Sequence, residues 1–155
     1  MAIQTITYGS KTSVAITAGA SLASGSAVQS AAVDNTTNKY DDAVVQVEAT
    51  GSAAGNTGTV DFFVYAALGD TNYTDAASGS DATFTAANRK NAVWLGFAAM
   101  NGTALVRSTL QRSVAQCFGG VMPSKWGFIV VNSSGAALAV AGITINYQGI
   151  TYTVV

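Results

Sequence analysis

At 155 residues the chain fits one domain, long enough to bury a core without disulfide or metal staples. Hydrophobic residues make up 49% and charged residues only 10%, with seven basic residues scattered against eight acidic ones for a net charge of −1; no phosphate-tracking surface and no membrane-spanning run is evident, so neither direct nucleic-acid binding nor a membrane partner is expected. There is no histidine and only one cysteine, which excludes a Ser-His-Asp or Cys-His triad, an ordinary zinc site and an intrachain disulfide.

Taken in chain order, Met1–Ser10 carries neither the basic stretch nor the apolar run of a secretion signal, so synthesis in the cytoplasm is expected. Ile3–Tyr8, Thr12–Thr17 and Ala27–Val33 read as weak strands. Ala43–Ala49 alternates Val45 and Val47 against Gln46 and Glu48, and Val60–Ala67 alternates Val60, Phe62, Val64 and Ala66 against Asp61, Phe63 and Tyr65. Aromatics on both faces make the second of these a central strand or an interface strand. The Gly/Ala/Asn stretch Thr50–Gly58 between them reads as the turn of a long hairpin.

Asp70–Asn88 is the most open region, with Tyr73 and Phe84 as its only large apolar anchors, and a loop of that length is expected to be functional or flexible. Asn91–Met100 then reads as a strand with Val93, Leu95, Phe97 and Ala99 on one face and Trp94 on the other. Asn101-Gly102 is a strong turn signal, with Thr103–Ser108 returning. Val106, Leu110, Val114 and Phe118 recur every four residues, but frequent Ser and Thr limit the helix to one turn over Ser113–Phe118. Pro123 makes a rigid corner before Trp126–Asn132, which is apolar on both faces and reads as buried. In Ile143–Val155 the apolar positions pass from odd (Ile143, Ile145, Tyr147) to even (Ile150, Tyr152, Val154), which places a bulge or tight turn at Gln148-Gly149.

Candidate chemistry is sparse. A lone cysteine in an apolar context such as Cys117 is ordinarily core. Asp41-Asp42 precedes a strand, where adjacent side chains point to opposite faces, so a solvated strand entry is favoured over a glycosidase pair. Asp70, Asp75 and Asp81 could offer oxygens to calcium, but their spacing fits no EF-hand loop and no metal site is expected. The sequons at Asn35, Asn72, Asn101 and Asn132 are read as accidents of an Asn/Ser/Thr-rich chain. Phe63, Tyr65, Tyr73 and Trp94 could form a carbohydrate-stacking platform, but division between a core and a subunit interface is favoured. No catalytic or cofactor-binding residue is expected. The chain is accordingly expected to be all-β: a single-domain, jelly-roll-like antiparallel β-sandwich over residues 1–155, with at most one short helical turn near 113–118.

The second half of the chain resembles short proteins encoded in the structural modules of tailed bacteriophages. The residues that carry the likeness are Asn72-Tyr73-Thr74-Asp75, Gly79-Ser80-Asp81, Ser113-Val114-Ala115, Phe118-Gly119-Gly120, Pro123-Ser124-Lys125-Trp126-Gly127, Val131–Leu138 and Tyr147-Gln148-Gly149. The resemblance implies a non-enzymatic virion component, most readily a capsid decoration (cement) protein that clamps major capsid protein subunits and assembles with copies of itself. A tail, adaptor or fibre-base protein is the alternative it leaves open. The low charge suits a chain packed against such partners, because buried charge is costly.

Overall fold

The computed structural model describes residues 4–52, 55–69, 71–102 and 107–154. Met1 to Ile3, Ala53, Ala54, Asp70, Thr103 to Val106 and Val155, which enter the expectations above, lie outside them. The elements in chain order are β1 (Gln4–Tyr8), β2 (Thr12–Ser13), β3 (Ala27–Gln29), β4 (Val33–Asp34), α1 (Asn35–Asn38), β5 (Asp42–Gly51), β6 (Thr59–Ala67), β7 (Ala82–Phe84), β8 (Val93–Ala99), β9 (Arg107–Ser113), α2 (Val114–Cys117), β10 (Lys125–Ser133) and β11 (Leu138–Val154). Short 3-10 turns lie at Thr17–Gly19, Thr74–Ala76 and Ala86–Asn88.

The strands form two antiparallel sheets. One runs β1-β11-β5-β9, with β2 also on β11; the other runs β7-β3-β10-β6-β8, with β4 also on β10. Taking β1 with β2 as the first of eight principal strands, and leaving out the short β4 and β7, the orders are 1-8-3-6 and 2-7-4-5. That is a jelly roll, as expected. The one-turn helix forms at Val114–Cys117 because Ser113 caps it, its Oγ accepting from Gln116 N at 3.1 Å. A second helix of four residues, Asn35–Asn38, corrects the expectation of at most one helical turn; it is capped in the same way by Asp34, which accepts from Thr36 N at 2.8 Å.

The core lies between the sheets. Val45, Val47, Ile145 and Tyr147 from one sheet meet Val60, Phe62, Val64, Trp126, Phe128 and Val130 from the other. The two-residue period puts the alternate residues of β6 and β10 on the outer side, where Tyr65, Ile129 and Val131 are also buried. These strands are therefore central and covered twice. Trp126 stands edge-on to Phe128 and Tyr147, with ring centroids 5.6 and 5.3 Å away.

Three more expectations are corrected. β5 and β6 are not a hairpin: β5 pairs with β11 and β9, and β6 with β10 and β8, so the two strands lie in different sheets. β8 and β9 are likewise divided between the sheets, so Asn101-Gly102 does not begin a return strand beside β8. β11 keeps one register on β5 from Ile143 to Ile150, straight through Gln148-Gly149; its irregularity falls between Leu138 and Ile143. Gly149 is there because the Tyr40 ring lies against it, and a Cβ would come within 2.4 Å of that ring.

The crossovers meet at one end of the sandwich and are held by a buried polar cluster. Asn56, Asn132 and Ser134 are all fully buried. Asn132 Nδ2 donates to Leu22 O and Ala136 O, both at 2.8 Å, while its Oδ1 accepts from Ser134 N and Oγ. Asn56 Nδ2 donates to Ser134 Oγ, Ala136 O and Ala137 O. Removing the Asn132 amide strands several of these groups without water. Asn132→Ala is expected to cost about 3 kcal/mol, read as a lower urea midpoint at unchanged m-value. A loss below about 1 kcal/mol would show that the cluster contributes little.

Candidate functional site

The outer face of the β7-β3-β10-β6-β8 sheet is built by residues that alternate away from the core. A strap, residues 71–92, crosses part of it. Tyr73 packs edge-on against Tyr65, with centroids 5.4 Å apart at 89°. Ala77 is buried beside them. Ser78 exchanges hydrogen bonds with the Gln29 side chain. Far from being an open loop, this segment covers the sheet.

Two acidic side chains tie the strap down. Asp75 accepts from Asn91 N and Ala92 N, each at 2.8 Å, and from Asn91 Nδ2 at 2.9 Å. Asp81 accepts from Thr17 N at 2.5 Å, Thr17 Oγ1 at 2.6 Å and Ala18 N at 3.0 Å. Desolvation pushes both carboxyls up, but these hydrogen bonds outweigh it and hold each below its ordinary value of 3.8. Two of the three acids weighed for calcium thus serve separate backbone anchors.

Beyond the strap, β8 leaves aromatics exposed. Phe62 opposes Gly96 and Phe63 opposes Trp94, so Leu95 is an extra residue on the β8 side, a β-bulge. Gly96 sits at φ +149°, a conformation other residues rarely adopt, and its missing Cβ leaves room for Leu110. The bulge shifts the alternation. Leu95, Ala98 and Met100 are buried while Phe97 and Ala99 turn outward. The expectation that Phe97 and Ala99 share a face with Leu95 is therefore corrected. Trp94 and Phe97 end up stacked on the outer face, with centroids 6.2 Å apart and planes at 28°. They remain 55% and 46% exposed.

Of the four residues singled out from sequence, the structure brings three together in or beside the strap and leaves one free. Tyr65 is core: its hydroxyl donates to Ser30 O at 2.7 Å, and burial pushes its phenol strongly up. Tyr73 covers Tyr65. Phe63 is half-buried, with the Arg89 guanidinium 4.7 Å above its ring. Trp94 alone stands open, directly across the ladder from Phe63. Phe97 was missed. The lone glycine inside an apolar strand pattern, Gly96, was the signal for a bulge that would have found it.

The remaining candidates hold structure. Asp42 accepts from Ser113 Oγ at 2.8 Å and Ala115 N at 3.0 Å, fixing α2. Asp41 accepts from Tyr152 N at 2.7 Å. The pair is a divided clamp at the entry to β5, with Asp41 exposed and Asp42 half-buried. Burial, with the Asp42 charge adding to it, pushes the Cys117 thiol up, away from the reactive thiolate. Asn35 and Asn132, two of the four sequon asparagines, are buried. No group of three or more metal-ligating side chains occurs among the described residues, and no helix there is long and apolar enough to cross a membrane.

No protein-family model matches the chain, and no curated protein does. Among solved structures, an arabinose-bound α-L-arabinofuranosidase is similar over 86% of this chain and 18% of that one, at 12% identity and a TM-score of 0.34. The chain spans under a fifth of that enzyme's length, and a likeness at that level carries no argument about activity.

The strap anchors set a pH dependence. A carboxyl held low in the fold contributes stability that is complete above its unfolded value and is lost as pH falls through its lower folded value. Taking the pH from neutrality to below 3.8 is therefore expected to release the amides of Thr17, Ala18, Asn91 and Ala92 to hydrogen exchange before those of β6 and β10. Asp81→Asn should release Thr17 and Ala18 at neutral pH. Unchanged protection at these four positions in acid would contradict the anchoring role.

Proposed function

We propose that the chain is a non-enzymatic virion structural protein of tailed bacteriophages, a capsid decoration protein that binds the outer surface of the major capsid lattice and stabilises the head. The observation that carries the reading is the exposed Trp94–Phe97 stack, rimmed by Phe63, Arg89 and Asp61, on a face made rigid by a central strand and a tied strap. Large aromatics with a polar rim are what dominate protein contacts energetically. The resemblance supplies the setting. Its quoted motifs fall in the strap, the crossover around α2, the polar cluster and the Gly149 contact, which are the parts that maintain the fold.

The mechanism is mass action. A protein that binds only the assembled lattice stabilises it by its association free energy. Many symmetric copies add avidity, so each contact can be modest. Purified virions should contain the protein at lattice-scale copy number, and heads lacking it should break at lower temperature or on chelation. Trp94→Ser is expected to weaken head binding at least tenfold with the melting temperature of the free protein retained. Absence from particles, or deletion without effect on heads, would end the proposal. Antibody label confined to a vertex would move the protein to the tail, adaptor or fibre base.

The same stack favours one second reading, carbohydrate binding, because paired exposed rings present flat apolar faces to a sugar. Glycan-array binding that disappears in Trp94→Ala with the fold intact is its expected signature. No binding across the array would dismiss it.

A further inference from the structure

β1 and the end of β11 form a ribbon that belongs to the edge of one sheet and has no cover of its own. The register runs Gln4↔Val154, Thr5↔Thr153, Ile6↔Tyr152, Thr7↔Thr151 and Tyr8↔Ile150. Every residue of β1 is exposed. One face is entirely threonine: Thr5, Thr7, Thr151 and Thr153. The other carries Gln4, Ile6, Tyr8, Ile150, Tyr152 and Val154, apolar but for Gln4, and continues the outer face of the sheet to Val44, next to the Asp42–Ile150 pair. Ile6, Tyr8, Val44, Tyr152 and Val154 are five of the ten exposed large hydrophobic side chains among the described residues. Such concentration marks an interaction site and not ordinary scattered exposure.

We propose that this ribbon is the surface on which a second copy of the chain docks, β1 pairing antiparallel with its counterpart across a two-fold axis. Three features select a second copy over another occupant. First, the edge is open in the required way. Tyr152 N donates to Asp41 Oδ2, and Ile150 O accepts from Asp41 N, so these groups point away from β1. By the alternation of an antiparallel ladder, their partners Ile6 and Tyr8 turn their own N–H and C=O groups outward. No described strand pairs with that edge.

Second, the edge has none of the usual guards. Residues 1–10 and 143–155 contain no charged residue and no proline, whereas edge strands kept single usually carry one or the other. An uncharged surface meets its own copy without repulsion, while a charged partner would find no complement on it. Third, a two-fold axis normal to the sheet sets Ile6 and Tyr8 of one copy beside their counterparts on the same face, so lateral contact joins the two exposed apolar strips across the seam. An isologous two-fold contact also uses the same patch twice and closes, so the open edge is capped and does not propagate.

This inference is independent of the virion reading. A monomer found on heads would sink it and leave that reading standing; a ribbon dimer absent from particles would do the reverse. The experiment is sedimentation velocity on the full chain from micromolar to millimolar concentration, beside the double variant Ile6→Lys/Tyr152→Lys, whose two positions lie outside the core. The wild type is expected at the mass of two chains. The variant is expected as a single chain with an unchanged circular-dichroism spectrum, its dissociation constant raised more than about a hundredfold. In the wild type, hydrogen exchange at the Ile6 and Tyr8 amides should slow as concentration rises. A wild type that stays monomeric throughout, or an assembly that persists in the double variant, overturns the proposal. So does exchange at Ile6 and Tyr8 that is independent of concentration.

Discussion

A jelly roll must carry its chain between two sheets several times, and here four of those passages meet at one end of the sandwich. Each breaks the ladder and takes peptide groups across the edge of an apolar core, where an unpaired carbonyl is costly. Asn56, Asn132 and Ser134 meet that demand together, engaging the Leu22, Ala136 and Ala137 carbonyls. Backbone bonds complete the join: Thr57 N to Ser134 O, Gly102 N to Asn56 O and Leu138 N to Leu22 O. Gly58 has no room for a side chain, because a Cβ would sit 2.3 Å from Ser133 O. The sheets can face each other only with this join in place, and so it precedes everything the outer surfaces do.

The two sheets are then finished differently. The sheet centred on β10 and β6 is apolar on both sides and needs an outer cover, which the strap supplies through Tyr73, Ala77 and the two aspartate anchors. Gly127 allows that cover to seat closely, since the Tyr65 ring occupies the space of its missing Cβ. The other sheet is polar outside, where Gln46, Glu48, Gln111 and Asn146 form side-chain hydrogen bonds, and it needs no cover except along the ribbon. Exposed apolar surface therefore collects where each finish ends: at Trp94 and Phe97 beyond the strap, and at Ile6, Tyr8, Tyr152 and Val154 beyond the polar face.

What was legible in the sequence was what local chemistry decides. Val60–Ala67 and Trp126–Asn132 announce central strands because both faces are apolar, and the four-residue recurrence through Val114 and Phe118 announces the helical turn. What was illegible depends on partners distant in sequence. A glycine-rich stretch such as Thr50–Gly58 can close a hairpin or cross between sheets, and only the destination of β5 on β11 decides. The parity change after Tyr147 resembled a bulge because apolar residues were assumed to be buried. Tyr152 and Val154 are exposed instead, so the strand had no reason to bend. The bulge at Leu95 was hidden for the same reason. Strict alternation puts Phe97 on the same face as Leu95, and an exposed phenylalanine violates no rule of strand geometry. In both cases the error lay in equating apolar with inward, and both errors fall on the surfaces that remain open.

That coincidence has a physical basis. Inside the sandwich an apolar residue satisfies the fold wherever the period directs it, and period alone locates it. An apolar residue left outside is unfavourable for the isolated chain in water, so the fold does not account for it, while burial against a partner does. With a tenth of its residues charged and a net charge of −1, the chain has little long-range electrostatics with which to steer or repel another molecule. Its associations must be governed by short-range apolar contact and backbone pairing, slow to find their partner and insensitive to salt. Such contacts gain most where the partner is already concentrated, as on an ordered lattice or beside another copy.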